Sequence, residues 1–274
     1  MTYVSLLVIG ASPDQLDAVL DPFMHNPKDK QHAKFISLDE EIRDLYATGM
    51  YQPHDKPDSV PVPIRQKYRT LDDFVDAHYP EAVLTADGVY GRYENPNGKY
   101  SYYVIGGRNI GFFQLRKGGI GILGESKSRF DPIPDPNTAD ITVLGHWDRE
   151  LQSRIQAERA IARHRYFYSK LGDIALPVSR EDYAHFMQAG SPLYGYSLEN
   201  IYTQTEDEYA VQAALRANVS YAVLKDGIIY ERQFDGNVSS PEELDEFYSW
   251  ERTFAGLFEG LPVDTPLIAV TAYE

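Results

Sequence analysis

The sequence contains no cysteine, and this excludes several kinds of chemistry at once. A chain without thiols cannot form disulfides, thiolate zinc sites or cysteine nucleophiles. It also lacks an apolar stretch of the roughly 20 residues that a membrane-spanning helix needs. Residues 1–7 carry no basic segment of the kind that opens a secretory signal. We therefore expect a cytoplasmic protein that does not bind membranes.

Basic residues are scarce relative to acidic ones. The chain has 26 lysines and arginines against 41 aspartates and glutamates, which gives a formal charge of −15. A field of this sign repels phosphate backbones, so general nucleic-acid binding is not expected. The excess of acid either serves solubility or forms a surface that mimics DNA or docks on a basic partner.

The common catalytic and nucleotide-binding motifs are missing as well. There is no P-loop, no Gly-x-Gly-x-x-Gly after a strand and no Gly-x-Ser-x-Gly elbow. Histidine lies near carboxylates at His54, with Asp55 and Asp58, and at His146, with Asp148, but neither set has the helical spacing of a zinc site. We predict no metal site and no cofactor, and the sequence leaves open whether the protein is an enzyme.

What the chain does contain is a pattern of strands and helices typical of a folded α+β protein. Its 274 residues are 43% hydrophobic, enough for a single α+β domain over 1–274. Residues 3–9 and 267–272 form apolar strand-like runs, and Asp226-Gly227 predicts a hairpin between 221–224 and 228–231. A mixed or antiparallel sheet with packed helices would join both termini, as a ferredoxin-like element with a large central insertion.

The insertion divides into three stretches. Residues 51–65 are rich in proline and predict a loop or lid, residues 83–145 are rich in strand signals, and residues 148–216 are helical. Helix starts are indicated by a serine or threonine followed three residues later by an acid or glutamine. This pattern occurs at Ser12, Ser37, Thr70, Ser179 and Thr205.

One segment, residues 93–109, combines features of a binding site. Its Asn-Pro-Asn-Gly sequence predicts a hairpin between 90–93 and 100–105. Two adjacent glycines permit close approach of a ligand, and the arginine after them offers a planar fork for phosphate or carboxylate. Cations near aromatic faces suit a nucleotide. The predicted ligand-binding residues are Asn95, Asn97, Lys99, Tyr103, Gly106, Gly107 and Arg108.

A purely structural interpretation of the same segment is equally concrete. Asn95-Pro96-Asn97-Gly98 would be a tight turn, the two glycines would form a bulge, and Arg108 would pair with a core carboxylate.

The segment resembles a widespread family of bacteriophage and prophage proteins with the motif Tyr-Asn-Pro-Asn-x-Lys-Trp-Asp-Trp-Tyr-x-Ile-Gly-Gly-Arg-Trp. The matching positions are Asn95, Pro96, Asn97, Lys99, Tyr103, Ile105, Gly106, Gly107 and Arg108. Residues 20–23 with Asn26, 139–140 with Asp148, 221–232 and 261–271 are similar to further parts of that family. Two departures stand out, because Ser101 replaces the family's aspartate and Asn109 its tryptophan. The resemblance implies a phage origin rather than a reaction.

Three functions follow from these observations. The first is a phage accessory protein that binds a host or defence component or sequesters a small, anionic, nucleotide-like ligand. The second is an enzyme acting on a nucleotide or another phosphate-bearing substrate, with Tyr103 or His146 supplying proton transfer. The third is a structural or assembly component of the virion.

Overall fold

The computed structural model describes residues 3–52, 60–126, 133–171, 204–232 and 241–274. We number helices and strands in chain order. The helices are α1 Leu16–Leu20, α2 Asp39–Thr48, α3 Ile64–Lys67, α4 Leu71–His78, α5 Arg149–Leu171, α6 Glu206–Arg216 and α7 Pro241–Gly256. The strands are β1 Tyr3–Ile9, β2 Lys34–Ser37, β3 Met50–Tyr51, β4 Val62–Pro63, β5 Val83–Leu84, β6 Tyr90–Glu94, β7 Tyr102–Ile105, β8 Phe113–Gln114, β9 Thr138–Ala139, β10 Ile141–Val143, β11 Ala222–Lys225, β12 Ile228–Glu231 and β13 Pro266–Tyr273.

The chain divides into two compact units. The terminal unit comprises Met1–Val19 and Tyr102–Glu274, and the inserted unit comprises Leu20–Ser101. The α+β class is confirmed by helices and mixed sheets together. The single-domain organisation expected for 1–274 stays a prediction, since a count of compact units says nothing about independent folding. No helix in the described ranges is long and apolar enough to cross a membrane.

The main sheet of the terminal unit has the strand order β10-β13-β1-β11-β12, and β7 also pairs with β13. Strand β1 runs parallel to β11 and antiparallel to β13. Its apolar residues alternate between two covered faces, so Leu6 and Leu7 are both fully buried although they point in opposite directions. A central strand covered on both faces requires a mostly apolar sequence, and β1 is apolar except for Ser5, whose hydroxyl accepts a hydrogen bond from the Tyr221 N–H. The predicted strand over residues 3–9 is confirmed.

The predicted sheet joining both termini is present, but its strand order differs from that of a ferredoxin-like unit. In a ferredoxin-like unit the second strand of the hairpin would lie beside β1. Here the first strand of the hairpin, β11, pairs directly with β1, and β12 lies beyond it. The hairpin itself is confirmed: Asp226 and Gly227 have φ of 53° and 76°, the left-handed geometry that a two-residue turn needs.

One face of the main sheet is covered by a cluster of aromatic side chains. Trp250 and Phe254 of α7 pack with Trp147, Phe258 and Phe113 over the sheet residues Leu7, Val223 and Ala269. The helical stretch predicted over 148–216 contains α5 and α6, and its residues 172–203 lie outside the described ranges.

Most predicted helix starts agree with the structure. Thr70 and Thr205 accept a hydrogen bond from the backbone N–H three residues on, and reciprocal capping boxes form there and at Ser12. The start predicted at Ser37 was displaced by one residue, because α2 begins after Leu38. The Ser37 hydroxyl instead accepts a 3.4 Å hydrogen bond from the N–H of Asp39. Ser179 lies outside the described residues.

The inserted unit has a sheet of order β2-β6-β5, a short pair β3-β4, and a core built on Ile42, Ile64 and Phe74. The pairing of β3 with β4, followed by α3, gives regular structure to both ends of the loop predicted over 51–65. Residues 53–59 of that loop lie outside the described ranges.

The hairpin predicted around Asn95-Pro96-Asn97-Gly98 was wrong. A turn does form there, with the Gly98 N–H donating to the Asn95 carbonyl at 2.9 Å. Its flanking strands do not pair with each other, because β6 pairs with β2 and β5 whereas β7 pairs with β13. The backbone that leaves the turn bonds to the preceding loop instead: the N–H groups of Lys99 and Tyr100 both donate to the carbonyl of Phe23.

Candidate functional site

The predicted ligand-binding residues are divided between the two units. The inserted unit holds Asn95, Asn97 and Lys99, and the terminal unit holds Tyr103, Gly106, Gly107 and Arg108.

Asn95 organises the first group through its own side chain. Its Nδ2 donates to the carbonyls of Pro22 and Met24, both at 2.8 Å, and its Oδ1 accepts from the N–H of Asn97 at 3.0 Å. The residue is buried, and these three bonds use most of its hydrogen-bonding capacity. Asn95 therefore ties the turn to the loop after α1, while the side chains of Asn97 and Lys99 are exposed.

A polar groove of about 320 Å³ lies beside this turn. It is lined by His25, Asn26, Glu81, Arg92, Tyr93, Glu94 and Asn95. Arg92 forms an ion pair with Glu94, two residues away on β6. The groove therefore presents hydrogen-bonding groups of both charges, which suits a polar ligand of low net charge.

The second group begins with a turn at residues 106–109. Gly106 and Gly107 have φ of 81° and 57°, a region that side chains other than glycine rarely adopt. The buried Thr271 on β13 secures the turn: its hydroxyl donates to the Gly106 carbonyl at 2.6 Å and accepts from Asn109 Nδ2 at 2.9 Å. The two glycines also leave the space that Thr271 and Asp140 occupy, since a Cβ on Gly106 would lie 2.9 Å from the Asp140 carboxylate.

Asp140 is a buried carboxylate that binds two backbone segments next to this turn. Its Oδ1 accepts from the N–H groups of Gly111 and Phe112, and its Oδ2 accepts from Gly124 at 2.9 Å. Burial raises the pKa of Asp140 above its ordinary value, against the opposite effect of the three N–H donors. Asp140 thus acts as an internal support for the loops that carry residues 106–112 and 124.

Arg108 projects from the supported turn onto a row of tyrosines. Tyr3, Tyr273 and Tyr102 lie opposite one another on β1, β13 and β7, and therefore share one face of the sheet. The rings of Tyr102 and Tyr273 stack at 4.3 Å, and that of Tyr3 follows at 6.3 Å. The Arg108 guanidinium lies 5.3 Å from the centre of the Tyr3 ring. We call Tyr3, Tyr102, Tyr273 and Arg108 the tyrosine row.

Tyr103 points to the opposite face of the sheet, because successive residues of a strand alternate. Its hydroxyl donates to the carboxylate of Asp17 in α1. Burial, together with this bond, raises the pKa of Tyr103 far above its ordinary value, so the side chain stays protonated. It borders an apolar groove of about 360 Å³ that also includes Ile105, Leu123 and Ile141. The structure does not bring Tyr103 and Arg108 together.

His146, the other candidate for proton transfer, lies far from Tyr103. Tyr103 is opposite Ala272, whereas Val143, three residues before His146, is opposite Pro266. Six residues of β13 separate these positions, about 20 Å at roughly 3.4 Å per residue. The Nδ1 atom of His146 lies 3.1 Å from the backbone O and 3.2 Å from the backbone N of Ile120. His146 therefore contacts the backbone at residue 120.

No three histidine, aspartate or glutamate side chains cluster as metal ligands within the described residues. Asp148, near His146 in sequence, accepts a hydrogen bond from the Leu151 N–H at the start of α5. His54, Asp55 and Asp58 lie outside the described ranges.

Sequence reasoning missed the residues that complete the tyrosine row and support its turn. Tyr3 and Tyr273 stand at the two ends of the chain, and Thr271 and Asp140 are far from Gly106 in sequence. The only available signal was the expected pairing of the terminal strands, which places residues near 3 opposite residues near 273.

Comparisons with protein-family models, curated proteins and solved structures found no match for this chain.

Proposed function

We propose that the protein is a phage-type accessory protein of the host-cell cytoplasm that sequesters a small nucleotide-like ligand without converting it. The observation that carries this proposal is the tyrosine row, in which the Arg108 guanidinium lies 5.3 Å from the Tyr3 ring, and Tyr3 is next to the stacked pair Tyr102 and Tyr273. A guanidinium binds phosphate through paired N–H donors, and tyrosine rings stack on nucleobases. The row offers both contacts on one face of the sheet.

The charge of the protein favours a small ligand over a polymer. A formal charge of −15 repels an extended phosphate backbone, whose binding depends on many cations acting together. A mononucleotide or dinucleotide carries few charges and needs only a local partner such as Arg108.

The turn that carries Arg108 is well supported before any ligand arrives. Thr271 bonds to Gly106 and Asn109 on either side of the arginine, and Asp140 packs against Gly106. A side chain presented from a supported turn loses less conformational entropy on binding than one from a mobile loop.

The test is a thermal-shift panel of mono-, di- and cyclic nucleotides and nicotinamide dinucleotides. A ligand at about 100 times its dissociation constant stabilises a protein by about 2.7 kcal/mol, which at this length raises Tm by about 5–10 °C. We expect such a shift in the wild type and its loss in Arg108→Ala and Tyr273→Leu. Arg163→Ala, which removes an exposed arginine from α5, is the matched control and should keep the shift. A panel without any shift, or a shift that Arg108→Ala retains, would contradict the proposal.

A second candidate, binding of a host or defence protein, is favoured by an apolar edge in the terminal unit. Ile120 and Ile122 are 72% and 61% exposed, and Leu123 beside them is 43% exposed. Clustered exposed aliphatic side chains are typical of protein-binding surfaces. We expect a protein captured from host lysate by the wild type to be lost with Ile122→Asp and kept with Val211→Asp, a change at an exposed valine of α6. Equal capture by both variants would count against this edge. The enzymatic and virion alternatives stay predictions.

A further inference from the structure

The inserted unit contains an aromatic corner formed by Tyr51 and Tyr68. The two ring planes are nearly perpendicular, at 86°, and their centres are 6.4 Å apart. The ammonium of Lys67 lies inside the angle, 3.2 Å from the centre of the Tyr51 ring and 4.8 Å from that of Tyr68. The negative faces of both rings therefore converge on one positive charge.

The Tyr51 and Tyr68 side chains that form the corner also have contacts that do not involve Lys67. The Tyr68 hydroxyl lies 2.9 Å from His78 Nε2, and its ring meets those of Phe74 and His78 edge to face. The Tyr68 carbonyl accepts a hydrogen bond from the Tyr46 hydroxyl at 3.2 Å. Tyr51 belongs to β3, which pairs with β4 just before α3, and its side chain packs against the core of the inserted unit. Removing the Lys67 side chain would therefore leave both rings in place.

We propose that this corner is a binding site for an alkylammonium group and that Lys67 is an internal competitor that occupies it. Lys67 is exposed at the end of the short helix α3, and its long side chain can leave the corner without disturbing the backbone. A ligand whose nitrogen carries methyl groups would be preferred over a primary ammonium, because it is less strongly hydrated and its methyl groups contact the ring faces.

The net charge of the protein supports this choice of ligand. A chain with a formal charge of −15 attracts cations. The same chemistry occurs in a small quaternary ammonium compound and in a lysine or methylated lysine side chain of a peptide. Both sources present an alkylammonium group to the corner, and they differ only in the rest of the molecule that carries it.

Internal competition predicts the size of the effect. An exposed cation–π contact favours the occupied corner by a factor of about two to five, so an external cation should bind about three to six times more tightly once the competitor is removed. Lys67→Met makes this change, because methionine has a similar length and no charge.

The experiment is an NMR titration of the full-length protein with choline at constant ionic strength, followed on labelled tyrosine rings. The variants are Lys67→Met, Tyr51→Leu and, as matched control, Arg65→Met. Arg65 lies on the same helix with its guanidinium 5.4 Å from the Tyr46 ring, so its replacement removes an equal charge and leaves the corner occupied. The uncharged carbon analogue of choline, 3,3-dimethylbutan-1-ol, reports any contribution from apolar contact alone.

We expect choline to bind Lys67→Met about three to six times more tightly than it binds wild type or Arg65→Met. Tyr51→Leu and the carbon analogue should show no saturable change. Equal affinity for wild type and Lys67→Met, no binding to Lys67→Met, or equal binding of the carbon analogue would each overturn the proposal. A second titration with a trimethyllysine peptide distinguishes the sources, since tighter binding than choline identifies a peptide ligand and equal or weaker binding a small one. None of these variants changes the tyrosine row, so the two proposals can fail separately.

Discussion

The turns at residues 95–98 and 106–109 come from one short stretch of sequence and are stabilised in opposite ways. The first is supported from within, because the side chain of Asn95 bonds to the backbone of its own turn and of the loop beside it. The second has no such side chain, and its support comes from residues much later in the chain. Thr271 bonds to the turn directly, whereas Asp140 packs against Gly106 and bonds to the adjacent backbone of Gly111, Phe112 and Gly124. A turn can thus be stabilised by its own residues or by residues far away in the sequence. The two kinds of turn should respond differently to mutation.

The largest expected effect is loss of the distant support at Asp140. In Asp140→Ala the partly buried N–H groups of Gly111, Phe112 and Gly124 lose their acceptor. We expect the free energy of unfolding, measured with urea, to fall by about 3–5 kcal/mol. Amide hydrogen exchange at the three N–H groups should accelerate as well.

Two further variants make this result interpretable. Asp140→Asn keeps one acceptor oxygen and should cost less than Asp140→Ala. Asp264→Ala removes an exposed aspartate from the same unit and should change stability by less than about 0.5 kcal/mol. If Asp140→Ala were as stable as Asp264→Ala, the carboxylate would not support the second turn.

Loss of the local support should cost somewhat less. Asn95→Ala leaves the carbonyls of Pro22 and Met24 and the N–H of Asn97 without their partner, and we expect a loss of about 2–3 kcal/mol in urea unfolding. Faster exchange of the His25 amide, which bonds to the Tyr100 carbonyl next to the turn, would place the damage locally. Asn97→Ala is the matched control, since its exposed side chain should be nearly neutral. Equal losses from both variants would refute the local account.

A smaller effect should follow from removing one hydroxyl beside the second turn. Thr271→Val preserves shape while it deletes the bonds to the Gly106 carbonyl and to Asn109, at an expected cost of about 1–2 kcal/mol. Thr142→Val, in the same sheet, deletes one bond to the Ile120 carbonyl and should cost about half as much. Any nucleotide-induced shift in Tm should shrink in Thr271→Val and persist in Thr142→Val. The reverse pattern would separate Thr271 from the position of Arg108.

Features with local signals could be predicted from the sequence. The Asp226-Gly227 hairpin and the starts of α4 and α6 each depend on residues within a few positions of one another. Strand β1 could be predicted because a strand covered on both faces must be mostly apolar. The same reasoning failed at Asn95-Pro96-Asn97-Gly98, because turn chemistry specifies a reversal of the backbone and not the strand that pairs after it.

The tyrosine row could not be predicted for a related reason. Tyr3, Tyr102 and Tyr273 become neighbours only through the register of β1, β13 and β7. A shift of one residue in either pairing would move a ring to the other face of the sheet. Residue types and local spacing made Arg108 a predicted ligand-binding residue, whereas the rings beside it depend on pairings between distant segments.

The smallest expected effect is a dependence of stability on pH. It separates two opposing influences on the pKa of Asp140, namely burial and the hydrogen bonds from three N–H groups. Burial raises its pKa in the folded protein above the ordinary value of 3.8, so between these two pKa values the folded state binds more protons than the unfolded state. The contribution of this group to stability therefore grows as pH falls through that window and is lost as pH rises. Urea unfolding of wild type and Asp140→Asn at several pH values between 4 and 7 should show the wild type gaining relative to the variant toward acid. A relative loss toward acid would mean that the three N–H donors outweigh burial, and the second turn would then be supported by an ionised carboxylate whose charge stabilises the fold.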